Sequence, residues 1–425
     1  MRRLTLLLTL GALLCAPAAA HAAKRHRCLP YAGPQCFMWT GKATFVADGD
    51  TIYVNVDGDG SRRSLPVRLT GINAMEQTTY ASRASQRRGE CHALEATARL
   101  DQLLKGSKYK VRLIAQKRGS RSYHRLRRTV YVKSNGRWID AARTLLSEGH
   151  VLWAPNYQET AWHRDYSILQ ARAMRTGQNL WNPGYCGFGP NEGQPIQLLV
   201  NWDADGTDAL NPEGEWVRIK NLDPVNPLPL GGWWLRDAGQ RRFKFPSTAT
   251  VPPAGNLTVY VGEGDDTPDE LYWGLRKPQF ANVTHDARAI GDGAYLFDPQ
   301  GDVRASFLYP CRENCADPNA GSLALDVTYR GNESVRITNT GPAPIDLEPY
   351  RLVTPGYGYS FAPNSVVQPG ETMRVRIYES EDDDSALIRY WTPGKHILDD
   401  GGDIVQLRRY DDTLVSCFAW GRRSC

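Results

Sequence analysis

Past its N-terminus the sequence has no long hydrophobic run. Nothing after Leu14 approaches the roughly 18 consecutive apolar residues that a membrane helix needs, so a helical membrane span is not expected. Paired Cys-x-x-Cys motifs and a histidine cluster are also missing, which argues against a structural zinc site despite nine cysteines. In the C-terminal half there is neither a Ser/His/Asp arrangement nor a carboxylate pair suggestive of a second active site.

What is present begins with a leader. Arg2 and Arg3 precede an apolar run from Leu4 to Leu14, and the segment closes on Ala20-His21-Ala22. That is the pattern of a secretory signal peptide over residues 1–22, too short and wrongly flanked to span a membrane, and it implies a secreted, extracellular protein. Cys15 leaves with it. The eight remaining cysteines, Cys28, Cys36, Cys91, Cys186, Cys311, Cys315, Cys417 and Cys425, are an even set in an exported chain and read as disulfides. Pairing neighbours gives Cys28 with Cys36, Cys311 with Cys315, Cys417 with Cys425, and Cys91 with Cys186.

The 425 residues, 41% hydrophobic and 23% charged, suit two to four globular domains. The net charge is unevenly spread. From Lys24 to Cys186 there are 27 Lys and Arg against 12 Asp and Glu, a net of +15; from Gly187 onward 22 face 34, a net of −12. A basic first half reads as a polyanion-binding face.

Within that half, Ile52, Val54 and Val56 alternate, as do Leu65, Val67 and Leu69, with Asp57-Gly58-Asp59-Gly60 between them. Period-2 alternation around an Asp-Gly turn is a β-hairpin. It places Asp50 just before the first strand, Arg68 on the face opposite Val67 and Leu69, and Asn73 and Glu76 where the second strand ends. Ala93, Ala96, Leu100 and Leu103 fall at helical spacing before Gly106. Tyr109, Val111 and Leu113 alternate as a strand, and Arg118, Arg121, Arg125, Arg127 and Arg128 form a basic connection to the next strand at Thr129–Val132. Ile139, Ala142, Leu145 and Leu146 predict a second helix ending before Gly149, and a third runs from about Glu159 to Arg175.

Several of these elements carry a resemblance. Asp48-Gly49-Asp50-Thr51, then Val67-Arg68-Leu69, then Ile72-Asn73-Ala74-Met75-Glu76, then Tyr123-His124-Arg125 resemble, in order and approximate spacing, the core pattern of the staphylococcal nuclease-like (thermonuclease) family. The resemblance covers roughly Gly41 to Cys186. It implies an OB-type five-stranded barrel with packed helices, Ca²⁺ held by Asp50, Asn73 and the backbone carbonyl of Ala74, and a catalytic set of Arg68, Glu76 and Arg125. Arg121, Arg127 and Arg128 are added as nucleic-acid contacts on charge alone. The chain departs from the pattern at Asn73, where the family has Asp; one negative charge is lost, and weaker calcium binding is expected. Met75 replaces Pro, and His124 replaces Gly.

The second half contains an internal repeat. Glu215-Trp216-Val217-Arg218-Ile219-Lys220-Asn221 returns as Glu333-Ser334-Val335-Arg336-Ile337-Thr338-Asn339, and three further segments return at offsets between 111 and 118 residues. Short alternating strands with Pro/Gly turns make each copy a β-sandwich. Glu215 to Asn221, Gly232 to Asp237 and Phe243 to Pro246 resemble the lamin-tail domain family, which implies immunoglobulin-like sandwiches whose tryptophans are core. The Asp203-Ala204-Asp205-Gly206 run reads as an Asp-rich turn rather than a calcium loop.

The expected architecture is therefore multidomain: an arm over 23–40, an α+β OB-type domain over 41–186, a linker over 187–196, and sandwiches over 197–310 and 319–425. The expected function is secreted, calcium-dependent hydrolysis of DNA or RNA phosphodiesters, with the sandwiches binding a cell surface or protein partner or acting as spacers. The alternative is a non-catalytic polyanion-binding or adhesion protein.

Overall fold

The computed structural model describes residues 23–29, 33–77, 89–189, 191–239, 241–283, 290–377 and 385–425; the leader over 1–22 lies outside the described residues. The molecule is multidomain and mostly β-sheet with few helices.

The first domain is built on one sheet. Its strands are β1 (Lys24–Arg27), β2 (Gln35–Asp48), β3 (Thr51–Val56) and β4 (Leu65–Leu69), with the short β5 (Ile72–Asn73) outside it. β6 (Lys110–Ala115), β7 (Arg121–Ser122), β8 (Arg125–Ser134) and β9 (Arg137–Asp140) complete it. The predicted hairpin is β3–β4, paired antiparallel with Thr51 opposite Arg68 and Ile52 opposite Val67. β4 pairs parallel with β8, β8 antiparallel with β6, and β6 antiparallel with β2, which also pairs with β3. The predicted arm is not separate from this sheet, since Lys24–Arg27 pairs with Gln35–Met38.

Three helices cover the sheet: α1 (Ala93–Gly106), α2 (Ala141–Ser147) and α3 (His163–Thr176). Two differ from expectation. Ile139 lies in β9 rather than in α2, because Asp140 caps the helix, accepting from Ala142 N at 3.0 Å and Arg143 N at 3.3 Å. Helix α3 starts at His163, after a 3₁₀ turn over Thr160–Trp162. Helix α1 presses against the turn that carries Asp50. A Cβ on Gly49 would lie 2.7 Å from the Ala96 Cβ and 2.9 Å from the Ala74 Cβ, so only glycine lets the turn sit this close.

The repeat is visible in the topology. In the first sandwich, β11 (Ile196–Asn201), β12 (Trp216–Asn221), β17 (Asn256–Tyr260) and β18 (Glu270–Tyr272) form one sheet. The other is β15 (Arg242–Lys244), β14 (Trp234–Arg236), β19 (Asp292–Phe297) and β20 (Val303–Tyr309), and β13 (Leu228–Pro229) pairs with β16 (Thr250–Val251) at the edge. The strands from Leu323–Thr328 to Leu414–Ala419 repeat that order. Trp202 and Trp233 lie in the core of the first sandwich as expected, whereas Trp216 is buried outside it, against Tyr410 of the second sandwich.

Both sandwiches dock. Met75, Leu152 and Trp181 of the first domain share an apolar cluster with Ala238, Tyr295 and Phe297 of the first sandwich. The Asp-rich turn joins the sandwiches: Asp205 accepts from Trp391 Nε1 at 3.0 Å and Gly358 N at 3.2 Å, and Asp203 ion-pairs with Arg351 at 3.3 Å. All four disulfides are the neighbour pairings expected from the sequence.

Candidate functional site

The hairpin register builds the site. Asp50 precedes β3, Thr51 opens it, and Arg68 stands across from Thr51 on β4; Arg125 opens β8 two positions before Arg127, the residue opposite Arg68. Arg125 Nη1 donates to Thr51 Oγ1 at 3.2 Å. Asp50 is buried and fully engaged: Oδ2 accepts from Ala74 N at 2.9 Å, Oδ1 accepts from Thr51 Oγ1 at 2.8 Å, and Arg68 Nη1 lies 2.5 Å from Oδ1. That last contact is an ion pair without hydrogen-bond angles, since Nη1 has no hydrogen-bond partner. Arg68 Nη2 donates to Asn73 Oδ1 at 2.7 Å.

Arg68 departs from the expected picture of a strand residue on the face away from the core. It is buried, its guanidinium turned onto Asp50, the Ile72 carbonyl and Asn73 of its own domain. Asn73 departs further. Its Nδ2 donates to the backbone carbonyl of Ala238 at 2.9 Å, so the side chain spans from Arg68 to the neighbouring domain.

Glu76 sits just past β5, half-buried; its backbone N–H donates to Glu90 Oε2 at 2.8 Å and its carbonyl accepts from Glu90 N. Burial, then the Asp50 charge, push the Glu76 carboxyl above its usual range, while Arg68, Arg236 and Arg125 pull the other way. Asp48 is pushed up to about 7, chiefly by burial and then by Asp50. Its Oδ1 accepts the Asp50 N–H at 3.0 Å.

Arg68, Asn73 and Arg125 of this set line a cleft of about 510 Å³ shared by two domains, whereas Asp48, Asp50, Thr51 and Glu76 lie behind its wall. Arg68, Asn73, Tyr123, Arg125 and Arg127 line it from the first domain, and Asp237, Arg241, Lys277 and Gln279 from the first sandwich. Tyr123 is 90% exposed there. Burial lowers the Arg127 guanidinium from its ordinary value.

Of the three arginines added on charge, Arg127 lines the cleft, Arg121 is exposed nearby on β7, and Arg128 belongs to the interior. The Arg128 guanidinium donates to the carbonyls of Ser120, Arg127 and Arg118 and lies over Trp39 at 4.4 Å. The basic connection is thus partly strand: in β8, Arg125, Arg127 and Arg128 do three different jobs. Sequence reasoning missed the sandwich residues altogether, because their place beside Arg68 depends on domain packing that no local pattern encodes.

The oxygens assigned to Ca²⁺ by resemblance are of the hard type that calcium takes. Yet the Asp50 and Asn73 oxygens both face the Arg68 guanidinium, and among the described residues no three His, Cys, Asp or Glu side chains cluster as a metal site. One ion-paired carboxylate, one engaged amide oxygen and one carbonyl fit a tightly held divalent cation poorly.

Residues 198–310 match the family model of the Lamin Tail Domain. The chain contains a lamin-tail domain. Its bounds enclose β12 to β20 and four of the six residues of β11, the first sandwich. No curated protein matches the chain.

Proposed function

We propose that the first domain is a phosphodiester hydrolase acting on DNA or RNA. The observation that supports this best is the convergence of Arg68 and Arg125 on the Asp50–Thr51 turn, with a cleft open beside them and both arginines pulling the nearby Glu76 carboxyl down against its burial. Arg68 and Arg125 donate to the non-bridging oxygens of the scissile phosphate and neutralise the charge that builds there. Glu76 accepts a proton from the attacking water as the new P–O bond forms, and the departing oxygen takes a proton from solvent as its bond breaks. A carboxyl raised by burial is better matched to this task near neutral pH than an ordinary one.

The rest of the reading extends from there. The pairings β2–β3–β4–β8–β6–β2 support an OB-type barrel, and the shared strand order supports reading residues 319–425 as a second, diverged lamin-tail copy. Four disulfides and the leader support secretion. Calcium dependence belongs to the proposal as a low-affinity requirement, and no step above runs through a metal. One observation favours the binding-only alternative: Arg68 is held by Asp50 and Asn73, and a binding module would never need to release it.

Cleavage of single-stranded and duplex DNA by the mature protein, titrated with Ca²⁺ against EDTA beside a Glu76→Gln variant, separates the two. Hydrolysis should fall by about 10²–10⁴-fold in Glu76→Gln with the fold retained. Salt-sensitive binding without turnover at any calcium level would leave the binding module as the answer.

A further inference from the structure

Arg241, Lys277 and Gln279 belong to the lamin-tail domain, yet they face the same cleft as Arg68 and Arg125. Arg241 and Lys277 are exposed, and among the described residues no carboxylate ion-pairs with either. The one acidic residue among the described lining residues is Asp237, whose Oδ2 accepts from Gln279 Nε2 at 2.5 Å and whose carboxyl is pushed up to about 6 by burial. The cleft therefore carries cations on both walls and little opposing charge.

The second wall is fixed in place. Asn73 Nδ2 donates to the Ala238 carbonyl at 2.9 Å, Gln170 Nε2 donates to Tyr295 Oη at 2.7 Å, and Arg242 ion-pairs with Glu90, the residue that holds the backbone of Glu76. These contacts flank an apolar seam. A domain held this way is part of the site's architecture, unlike a tethered module, which would swing free of it.

We propose that the lamin-tail domain supplies the second phosphate-binding wall of the cleft. A single nucleic-acid strand lies along the seam between the domains, with one phosphate at Arg68 and Arg125 and neighbouring phosphates held by Arg241 and Lys277. This rests on the reading that the cleft takes a phosphodiester. The cleft of about 510 Å³ has the volume of a small-molecule pocket, which suits a short stretch of a single strand. Each phosphate neutralised on a single strand releases counterions and contributes about −0.7 to the slope of log affinity against log salt.

The test is fluorescence anisotropy with a short fluorescein-labelled oligothymidylate, in the full mature chain carrying Glu76→Gln so that the probe survives. Adding R241A and K277A together should weaken binding and make the salt slope shallower by about 1.4. Arg241→Lys should retain the slope, and Lys277→Glu should weaken binding further than Lys277→Ala. Circular dichroism checks that these surface variants stay folded. An unchanged slope in R241A/K277A, while Arg125→Ala still weakens binding, overturns the proposal and leaves the first-domain site standing. Weaker binding with an unchanged slope also overturns it, since a phosphate contact must release counterions. If the Glu76→Gln chain does not bind the probe and the unsubstituted mature chain does not cleave it, the phosphodiester reading is removed and this proposal falls with it.

Discussion

The two sandwiches share a strand order and a set of buried anchors, and they differ where the first meets the cleft. Glu215 Oε2 accepts from Gln279 N and Phe280 N, and Glu333, 118 residues later, accepts from Ile397 N and Leu398 N. Asn221 Nδ2 donates to the carbonyls of Asn226 and Pro252; Asn339 Nδ2 donates to those of Ala343 and Val367. These shared residues hold the sandwich together. By contrast Arg236 and Asp237, at the edge of the cleft, have Val353 and Thr354 in their place in the second copy. Lys277 has a counterpart in Lys395, but that ammonium lies over Tyr357, 5.3 Å from the ring centre. The shared anchors hold each sandwich together, while Arg236 and Asp237, which the second copy lacks, and a Lys277 that has no ring under it among the described residues stand on the side of the first copy that meets the cleft.

The sharpest way to break that contrast is to cut the same position in both copies. Arg236 is fully buried, donates to the Asp237 and Gly239 carbonyls, and is one of the cations that hold the Glu76 carboxyl down. Arg236→Ala should therefore raise the Glu76 pKa. A general base works above its pKa, so the acid limb of the rate–pH profile should move to higher pH, on top of a stability loss of about 3–5 kcal/mol for cutting a buried charge network. Val353→Ala should cost about 1 kcal/mol and leave the limb where it was. Equal shifts in the two variants would erase the functional distinction between the copies.

The shared anchors offer a second, smaller break. Burial pushes the Glu215 carboxyl up to about 8 from an ordinary value of 4.5. A group raised in the folded state contributes stability that is full below the unfolded value and is lost as pH rises through the folded one. The first sandwich should thus weaken between pH 4.5 and 8, by at most roughly 5 kcal/mol for this residue at about 1.4 kcal/mol per unit. Glu215→Gln should flatten that slope in part, since buried Asp237 and Asp292 are raised in the same direction and remain. Thermal melts across the range would show it, and an unchanged slope would remove Glu215 as a cause.

Asn73 shows why some of this was legible in the sequence and some was not. The hairpin follows from local spacing, because alternation and turn residues fix a strand's faces, and three of the disulfides close loops of no more than eight residues; Cys91–Cys186, 95 residues apart, carries no local mark. The partner of Asn73 lies 165 residues away, and nothing local marks it. Read alone, the residue is a carboxylate that lost its charge; in place, it is an amide whose nitrogen a carboxylate cannot replace. Arg128 is a second case, since a charge count does not distinguish a guanidinium over Trp39 from one facing solvent. Asn73→Asp should cost about 1–3 kcal/mol, because it sets a carboxylate oxygen against the Ala238 carbonyl. Added calcium should recover part of that melting temperature, and its failure to do so would mean that charge at this position makes no metal site.

The smallest effect is expected at the outer edge of the same domain boundary. Glu313 receives Arg172 and Arg175 from α3, and these hydrogen bonds hold its carboxyl down at about 2. A lowered group contributes stability that is present above the unfolded value and disappears as pH falls through the folded one, so the contribution should be lost between about 4.5 and 2. The arginines are exposed, however, and exposed ion pairs are screened and entropically costly. Glu313→Gln should therefore lower the melting temperature least of the stability changes argued here, and the difference should vanish at about 1 M salt, where the screening length is about 3 Å. A large, salt-insensitive loss would show that the outer ion pairs, rather than the apolar seam and the Asn73 clasp, set how the lamin-tail domain is seated.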